Sequence, residues 1–363
     1  MRIRPTADPL RIGDLTLETL AADSGDPHGA VSAPFDEFAI VVCTKDEPPA
    51  RLAAVIQGIP RACEVIAISA SADAASEREA LDATTSPVHF VRQDCPDLAG
   101  RLGDLGLDDL LRDGPDGSRR LAPGKAEAML VGVLCAAALG RRLVGFVDAD
   151  NHDPATVPEY AALFALGMAR RKTGRAMVRL RWKGKRGPGK NRRDWGRASR
   201  VTNAALNRLL RDHTGAPDGA IVTGNAGEFA LTLESALHAE WTTGYGAESH
   251  LLLQCLETAL TGENEPMARE VFQIETLREH LHTQKPEAHI RRIIRESLVP
   301  VAASPLAGDA LRAKIRRILD EPDDDARRED FVRYPSIASR GKTGPLIGSL
   351  AEYLRMANAP ARR

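Results

Sequence analysis

Aromatic side chains are scarce. Phe, Tyr and Trp together supply 4% of the 363 residues. Sequence-tolerant binding of single strands leans on stacking platforms, and the most basic stretch, Lys183 to Arg197, has only Trp182 and Trp195 to offer. An excess of either charge is also missing, the formal net charge being −1. The chain as a whole therefore has no bias toward nucleic acid or anionic membrane, and any anion site must be local. The five cysteines (Cys43, Cys63, Cys95, Cys135, Cys255) are odd in number and form no CxxC. That pattern excludes a disulfide framework and predicts reduced, mostly buried thiols in a cytoplasmic protein. The longest apolar run, around Met129 to Leu139, is too short to span a bilayer. Met1-Arg2-Ile3-Arg4-Pro5 lacks the apolar core of a signal peptide. No GxGxxG follows the first apolar run, so a dinucleotide fingerprint is absent. Gly341-Lys342-Thr343 has the ending of a P-loop, but Ser336 stands where the leading glycine belongs. Internal repeats and low-complexity tracts are missing too.

What is present is ordinary globular material, 43% hydrophobic and 27% charged, in a chain long enough for a substantial core. Buried-strand patterns at Phe38–Cys43, Glu64–Ile68 and Val88–Val91 alternate with helical stretches. This spacing predicts parallel βαβ units, hence an α/β fold. Residues 1–35, rich in Pro, Asp and Gly, read as an irregular N-terminal arm with at most a short strand near Leu15. Ala176–Trp182 alternates apolar and basic residues, as a half-buried strand does. Ala220-Ile221-Val222 reads as a short strand, and Thr223-Gly224-Asn225-Ala226-Gly227-Glu228 as a turn into a helix. Residues beyond 286 are predicted to be mainly helical.

The chain is organised around Leu143-Val144-Gly145-Phe146-Val147-Asp148-Ala149-Asp150-Asn151. An apolar strand ends in two carboxylates, at the edge where open α/β sheets bind ligands. Asp148 and Asp150, two residues apart, can share one divalent cation, which in turn can hold a diphosphate. Lys125 opens a helix after Pro123-Gly124, where free backbone N–H groups and an ammonium suit a phosphate. Glu248 sits in the first turn of a later helix. His280 and His282 alternate along an extended segment and could add a metal ligand. The basic loop of Lys183 to Arg197 could close over an anionic substrate; nucleic-acid binding is the competing reading.

Taken together, these segments resemble the mannosyl-3-phosphoglycerate synthase family, retaining glycosyltransferases of the GT-A fold. The resemblance is carried by Gly124-Lys125-Ala126-Glu127-Ala128-Met129, Phe146 to Asn151, Trp195-Gly196-Arg197, Thr223 to Glu228 and Gln273 to His282, in that order. It covers most of residues 36–300. The Gly244-Tyr245-Gly246-Ala247-Glu248 and Ala226-Gly227-Glu228 pieces are shared with the related glucosyl-3-phosphoglycerate synthases.

The resemblance implies a Rossmann-like mixed, mainly parallel sheet with flanking helices in a catalytic region of residues 36–285. A donor half would end near 152, an acceptor half would follow, and residues 286–363 would form a helical extension. It implies donor contacts from Cys43, Thr44, Lys45, Glu47, Ser69, Ser71, Lys125, Asp148 and Ala149. Acceptor contacts would come from Arg200, Thr202, Asn225, Ala226 and Gly227. The metal would meet Asp148, Asp150 and His282, with His280 the alternative ligand, and Asp150 and Glu248 would lie at the reacting centre. The implied reaction moves mannose from GDP-mannose to the 2-hydroxyl of 3-phosphoglycerate with retention, aided by magnesium or by manganese, cobalt or zinc. The alternatives are transfer from GDP- or UDP-glucose, or sugar nucleotidyl transfer. Neither membrane nor nucleic-acid partners are expected, and a homodimer through the C-terminal helices is compatible with the sequence.

Overall fold

The computed structural model describes residues 1–24, 34–114, 116–151, 153–186, 192–193, 196–263, 266–281, 285–319, 332–341 and 343–358. The N-terminal segment forms β1 (Arg2–Pro5), β2 (Leu10–Ile12) and β3 (Leu15–Asp23). Three βα steps follow: β4 (Phe38–Thr44), α1 (Pro49–Gln57), β5 (Glu64–Ser69), α2 (Ala74–Asp82), β6 (His89–Arg92) and α3 (Pro96–Asp104). A small hairpin of β7 (Leu111–Asp113) and β8 (Arg119–Leu121) precedes α4 (Lys125–Ala138) and β9 (Leu143–Asp148). Next come α5 (Val157–Arg170), β10 (Ala176–Arg181), β11 (Lys185–Arg186), β12 (Arg192–Arg193) and α6 (Arg197–Thr214). The chain continues through β13 (Phe229–Thr232), α7 (Leu233–His238), β14 (Trp241–Thr242), α8 (Gly246–Thr261), β15 (Glu270–Glu275) and β16 (His280–Leu281). It closes with α9 (Glu287–Ala303), α10 (Asp309–Leu319), β17 (Arg333–Tyr334) and α11 (Thr343–Ala357).

The main sheet runs β1-β3-β15-β10-β13-β9-β4-β5-β6, with β2 paired to β3. The strands from β9 to β6 are parallel, as are β10, β15 and β3. Only β13 runs against both its neighbours between these two blocks. Both faces are covered. Ala39 and Val41 of β4 join a core with α3, α4, α6 and α8, while Ile40 and Val42 join one with α1, α2 and α5. Such strands read as continuous apolar runs, which is why the α/β expectation holds.

Four local expectations change. Residues 2–23 are not an irregular arm: β3 is a nine-residue strand of the main sheet, and its Leu15, Leu17 and Leu20 are buried. Polar Thr and Glu between those leucines dilute the pattern. Ala220-Ile221-Val222 is not a strand, and Glu228 leads into β13 rather than into a helix. β10 is buried along nearly its whole length, Arg179 included. No described helix is long and apolar enough to cross a membrane.

Candidate active site

Three strand ends meet at the site. β4 and β9 are parallel with Cys43 level with Asp148, so both chains leave the sheet at the same edge. β13 is antiparallel to β9 and begins at Phe229, level with Phe146. The residues just before it are therefore brought alongside the end of β9. The fit is close: a Cβ at Gly227 would stand 2.6 Å from Asp148 Oδ2. Any side chain there would displace the carboxylate.

Lys125, the first residue of α4, places its ammonium 2.7 Å from Asp148 Oδ1 and 2.8 Å from Glu248 Oε1. Burial alone would lower the Lys125 pKa, but these two carboxylates carry it well above the ordinary lysine value. Burial pushes Asp148 up to about 6; Lys125 restrains the rise, and Asp150 and Glu248 add to it. Asp150 goes the other way. Burial opposes its ionisation, yet the Lys285 ammonium 3.0 Å from Oδ2, aided by His280, takes it down to about 2. Asn151 ties the turn by donating from Nδ2 to the Asp148 carbonyl at 2.7 Å. Glu228 is fully buried, and neither carboxylate oxygen has a partner among the described residues. Burial, then Asp148, push it well above the usual carboxylate range.

On the β4–β5 side, Glu77 of α2 accepts hydrogen bonds from Thr44 Oγ1 at 3.0 Å, Ser69 Oγ at 2.5 Å and Ser71 Oγ at 2.7 Å. Asp46 is the one non-glycine residue with positive φ, 56°, among those described. Its N–H donates to Ser71 Oγ at 2.7 Å, and its Oδ1 accepts from the Ala72 N–H at 3.0 Å. Glu47 pairs with Arg51 at 2.7 Å and lies 3.8 Å from Lys285. Burial raises the Cys43 thiol to about 12, so it is neutral. Lys45 is exposed and Ala149 is buried in the core.

On the β13 side, Asn225 donates from Nδ2 to Ser297 Oγ of α9 at 2.7 Å, and its Oδ1 has no partner among the described residues. Asn225 and Ala226 line a small cleft of about 30 Å³ with Trp182, Lys185 and Ser199. Thr202 is buried and donates within its own helix, to the Ala198 carbonyl at 3.2 Å. Arg200 lies on an outer face of α6 and lines a separate cleft of about 360 Å³ with Asn203 and Lys314. Of the five expected acceptor contacts, the structure thus gathers Asn225, Ala226 and Gly227 at the strand ends and leaves Arg200 and Thr202 on α6.

His280 is buried, with Nδ1 3.2 Å from the Tyr160 hydroxyl oxygen and its ring stacked 4.0 Å from Trp182. The Lys185 ammonium sits 4.6 Å above the other partner of that stack, the Trp182 ring. Burial lowers the Lys185 pKa. His282 and Trp195 lie outside the described residues. Among the described residues, no three His, Cys, Asp or Glu side chains are grouped closely enough to form a metal centre by themselves.

Sequence reasoning missed Lys285, Glu77, Glu228 and Arg179. Arg179 is wholly buried and donates to the carbonyls of Thr223, at 2.9 and 2.7 Å, and Glu248, at 2.7 Å. It fastens the Gly224 turn to α8, and burial lowers it to about 10. Arg179, set between apolar residues two positions before Arg181, was the available signal. Lys285 offered none, standing in a segment without periodicity.

A family model described as mannosyl-3-phosphoglycerate synthase matches residues 27–340. The chain is 33% identical over 314 residues to the mannosyl-3-phosphoglycerate synthase of Pyrococcus furiosus, covering 81% of this chain and 78% of that one. It is 32% identical over 305 residues to that of Aeropyrum pernix, covering 78% and 76%. Among solved structures it is similar to mannosyl-3-phosphoglycerate synthase from Rubrobacter xylanophilus, at 17% identity, TM-score 0.52, and 83% and 90% coverage. It is also similar to glucosyl-3-phosphoglycerate synthase from Mycobacterium tuberculosis in complex with Mn2+, UDP-glucose and phosphoglyceric acid, at 18% identity, TM-score 0.52, and 90% and 99% coverage. The fold is accordingly that of the GT-A glycosyltransferases. With the family model spanning most of the chain and two relatives above 30% identity, the chain belongs to the mannosyl-3-phosphoglycerate synthase family of hexosyltransferases.

Proposed function

We propose that the protein transfers mannose from GDP-mannose to the 2-hydroxyl of 3-phosphoglycerate with retention of configuration. The observation that carries this reading is the junction at Asp148. There two carboxylates at a strand end and two partly buried ammoniums, Lys125 and Lys285, adjoin the Asn225-Ala226-Gly227 turn. Lysines so placed suit a diphosphate, and the turn offers an amide side chain and backbone to a small phosphorylated acid.

A divalent cation fits these residues. Asp148, Asp150, Glu228 and Glu248 outnumber the two lysines, and both Asp148 and Glu228 are pushed toward neutrality, first by burial and then by the neighbouring carboxylates, Asp150 and Glu248 acting on Asp148 and Asp148 on Glu228. Asp148 and Asp150 would hold the ion, magnesium being the best candidate. When bound, it supplies Lewis-acid neutralisation of the departing diphosphate. Lys125 holds Asp148 in place and adds positive charge at the same edge. Thr44, Ser69 and Ser71, fixed by Glu77, form a rigid wall for the nucleoside. Glu248 is held on Lys125 and Glu228 is buried, which disfavours either as a covalent nucleophile. We therefore favour front-face attack, with the leaving phosphate taking the acceptor proton.

The test is a grid of GDP-mannose, GDP-glucose and UDP-glucose against 3-phosphoglycerate and glycerate, with and without magnesium. GDP-mannose with 3-phosphoglycerate should give the highest kcat/KM, and only with the metal. Turnover confined to a glucose donor would replace the mannose assignment. Release of pyrophosphate from a sugar 1-phosphate and NTP would replace the reaction class.

A further inference from the structure

Lys125 and Glu248 approach to 2.8 Å from segments far apart in sequence, each in the first turn of its own helix, α4 and α8. Something must hold those helix starts together. Glu127, also in the first turn of α4, is almost completely buried. Its carboxylate is folded back over the helix start: a Cβ at Gly124 would lie 1.9 Å from Glu127 Oε2. That same oxygen accepts from the Gly244 N–H, at 3.5 Å, in the turn that leads into α8. The other oxygen accepts from the Tyr334 hydroxyl at 2.7 Å.

Tyr334 comes from the far end of the chain. β17 pairs with β14, Tyr334 level with Trp241, and the Thr243 N–H donates to the Val332 carbonyl at 3.1 Å. Tyr334 has no exposed surface. The turn is gripped from its other side by Glu296 of α9, whose Oε2 accepts from the Tyr245 N–H at 2.6 Å.

We propose that Tyr334 is a positioning residue for hexosyl transfer: by anchoring Glu127 it sets the contact between Lys125 and Glu248. The β17 strand is then part of the catalytic apparatus and not an appendage to it. Burial raises the Glu127 pKa, with Glu296 adding repulsion across the turn, while the Tyr334 hydroxyl and the Gly244 and Glu127 N–H groups favour the ionised form. Lys125 lies two residues before it on the same helix, and Glu248 beyond the turn on α8; Arg112 and Asp109 face Tyr334 from behind. Removing the hydroxyl leaves Glu127 with weaker N–H donors. It then drifts toward the neutral acid, and the Gly244 turn is freed to move Glu248 away from Lys125.

The proposal rests on the transferase reading only for its kinetic arm, so the experiment has two arms on the full-length chain. The variants are Tyr334→Phe, Glu127→Gln and, as a tail control, Arg340→Ala. Arg340 grips Asp109 through two hydrogen bonds of 2.9 and 2.6 Å and donates to the Pro335 carbonyl at 3.3 Å, so it holds the tail beside Tyr334 while none of its described hydrogen bonds goes to Glu127 or the 243–248 turn. In the first arm, hydrogen exchange of the 243–248 segment is measured without substrate. Tyr334→Phe should speed it at least about tenfold while leaving residues 143–148 unchanged, and Arg340→Ala should not. In the second, kcat and KM are measured across pH with the sugar nucleotide that the wild type turns over. Tyr334→Phe should lower kcat on the order of tenfold, with KM little changed. It should also move the acid limb of the kcat profile to higher pH. On a Glu127→Gln background the same substitution should leave the profile where it is.

Unchanged exchange of 243–248 in Tyr334→Phe overturns the proposal, whatever the donor proves to be. So does a loss of kcat that Arg340→Ala reproduces, since that would be a general effect of loosening the tail. Absence of turnover by the wild type would strike the functional reading, and the exchange arm would still decide this one.

Discussion

The two sides of the site are finished to different degrees. On the proposed donor side, polar groups are paired within the protein: Glu77 holds three hydroxyls, Asp46 is fixed by Ser71 and Ala72, and Glu47 holds Arg51. On the proposed acceptor side, buried polar atoms stand without described partners, notably Asn225 Oδ1, Asn203 Nδ2 and both oxygens of Glu228. An unpaired buried polar group costs stability that a paired one does not. The donor wall is thus built as a rigid surface, while the acceptor wall retains polar capacity that a small hydroxy acid can satisfy. The comparison teaches that rigidity sits where the larger, more costly ligand must be aligned, and unsatisfied polarity where the smaller one is chosen.

The largest expected effect falls on the junction both sides share. Asp150→Ala should lower kcat by about three orders of magnitude, the scale of losing a principal electrostatic contact at a reacting centre. Chelation of the wild type should do the same, and magnesium should reverse it. A variant with folded circular dichroism and a tenth of wild-type turnover would show that Asp150 is not essential. The donor wall should respond differently. Glu77→Ala leaves the buried Thr44 and Ser69 hydroxyls and the half-buried Ser71 hydroxyl without their acceptor and should cost about 2–3 kcal/mol of stability. Chemical denaturation measures that loss, and the donor KM should rise while the acceptor KM stays put. A rise in the acceptor KM instead would erase the distinction between the sides.

How legible the two sides were in sequence follows the same division. The donor side is made of consecutive βα units, so burial marks the strands and polar bursts mark their ends; Asp148, Asp150, Thr44 and Lys125 were all visible that way. The acceptor side depends on a reversed strand and on long-range pairings. β13 is four residues long, too short for a pattern, and the glycine-rich approach to it imitates a helix start. Arg179 looked like a solvated charge on an alternating strand because the carbonyls that bind it come from Thr223 and Glu248. Tyr334 carries no local signal, since the carboxylate that its hydroxyl binds, Glu127, stands 207 residues earlier in the chain.

α8 carries a pH dependence of its own. His250 is fully buried and neither ring nitrogen has a partner among the described residues. Burial, then Arg333, depress it from 6.5 to about 3. The unfolded chain therefore takes up the proton first. The stability this group contributes is fully present above about pH 6.5 and is lost as pH falls toward 3. At pH 4.5, two units below 6.5, the loss is about 3 kcal/mol, at roughly 1.4 kcal/mol per pH unit. Denaturation midpoints at pH 7 and 4.5 should differ less in His250→Leu than in the wild type, by about that amount. Parallel changes in both proteins would place the acid sensitivity elsewhere.

The smallest effect separates the two walls most cleanly. Asn225 is anchored on one side only: Nδ2 donates to Ser297, and the carbonyl oxygen is left for a donor from elsewhere. Asn225→Ala removes that acceptor together with the anchor. It should raise the KM for 3-phosphoglycerate about tenfold, a loss near 1.4 kcal/mol, as expected for one hydrogen bond to a charged ligand. The KM for the sugar nucleotide should stay within about twofold. Ser297→Ala removes the anchor but keeps the amide, and should give a smaller rise. If both variants raised the donor KM as much as the acceptor KM, the Gly224–Gly227 turn would be serving both ligands. The contrast between a closed donor wall and an open acceptor wall would then belong to the protein's packing and not to its choice of substrates.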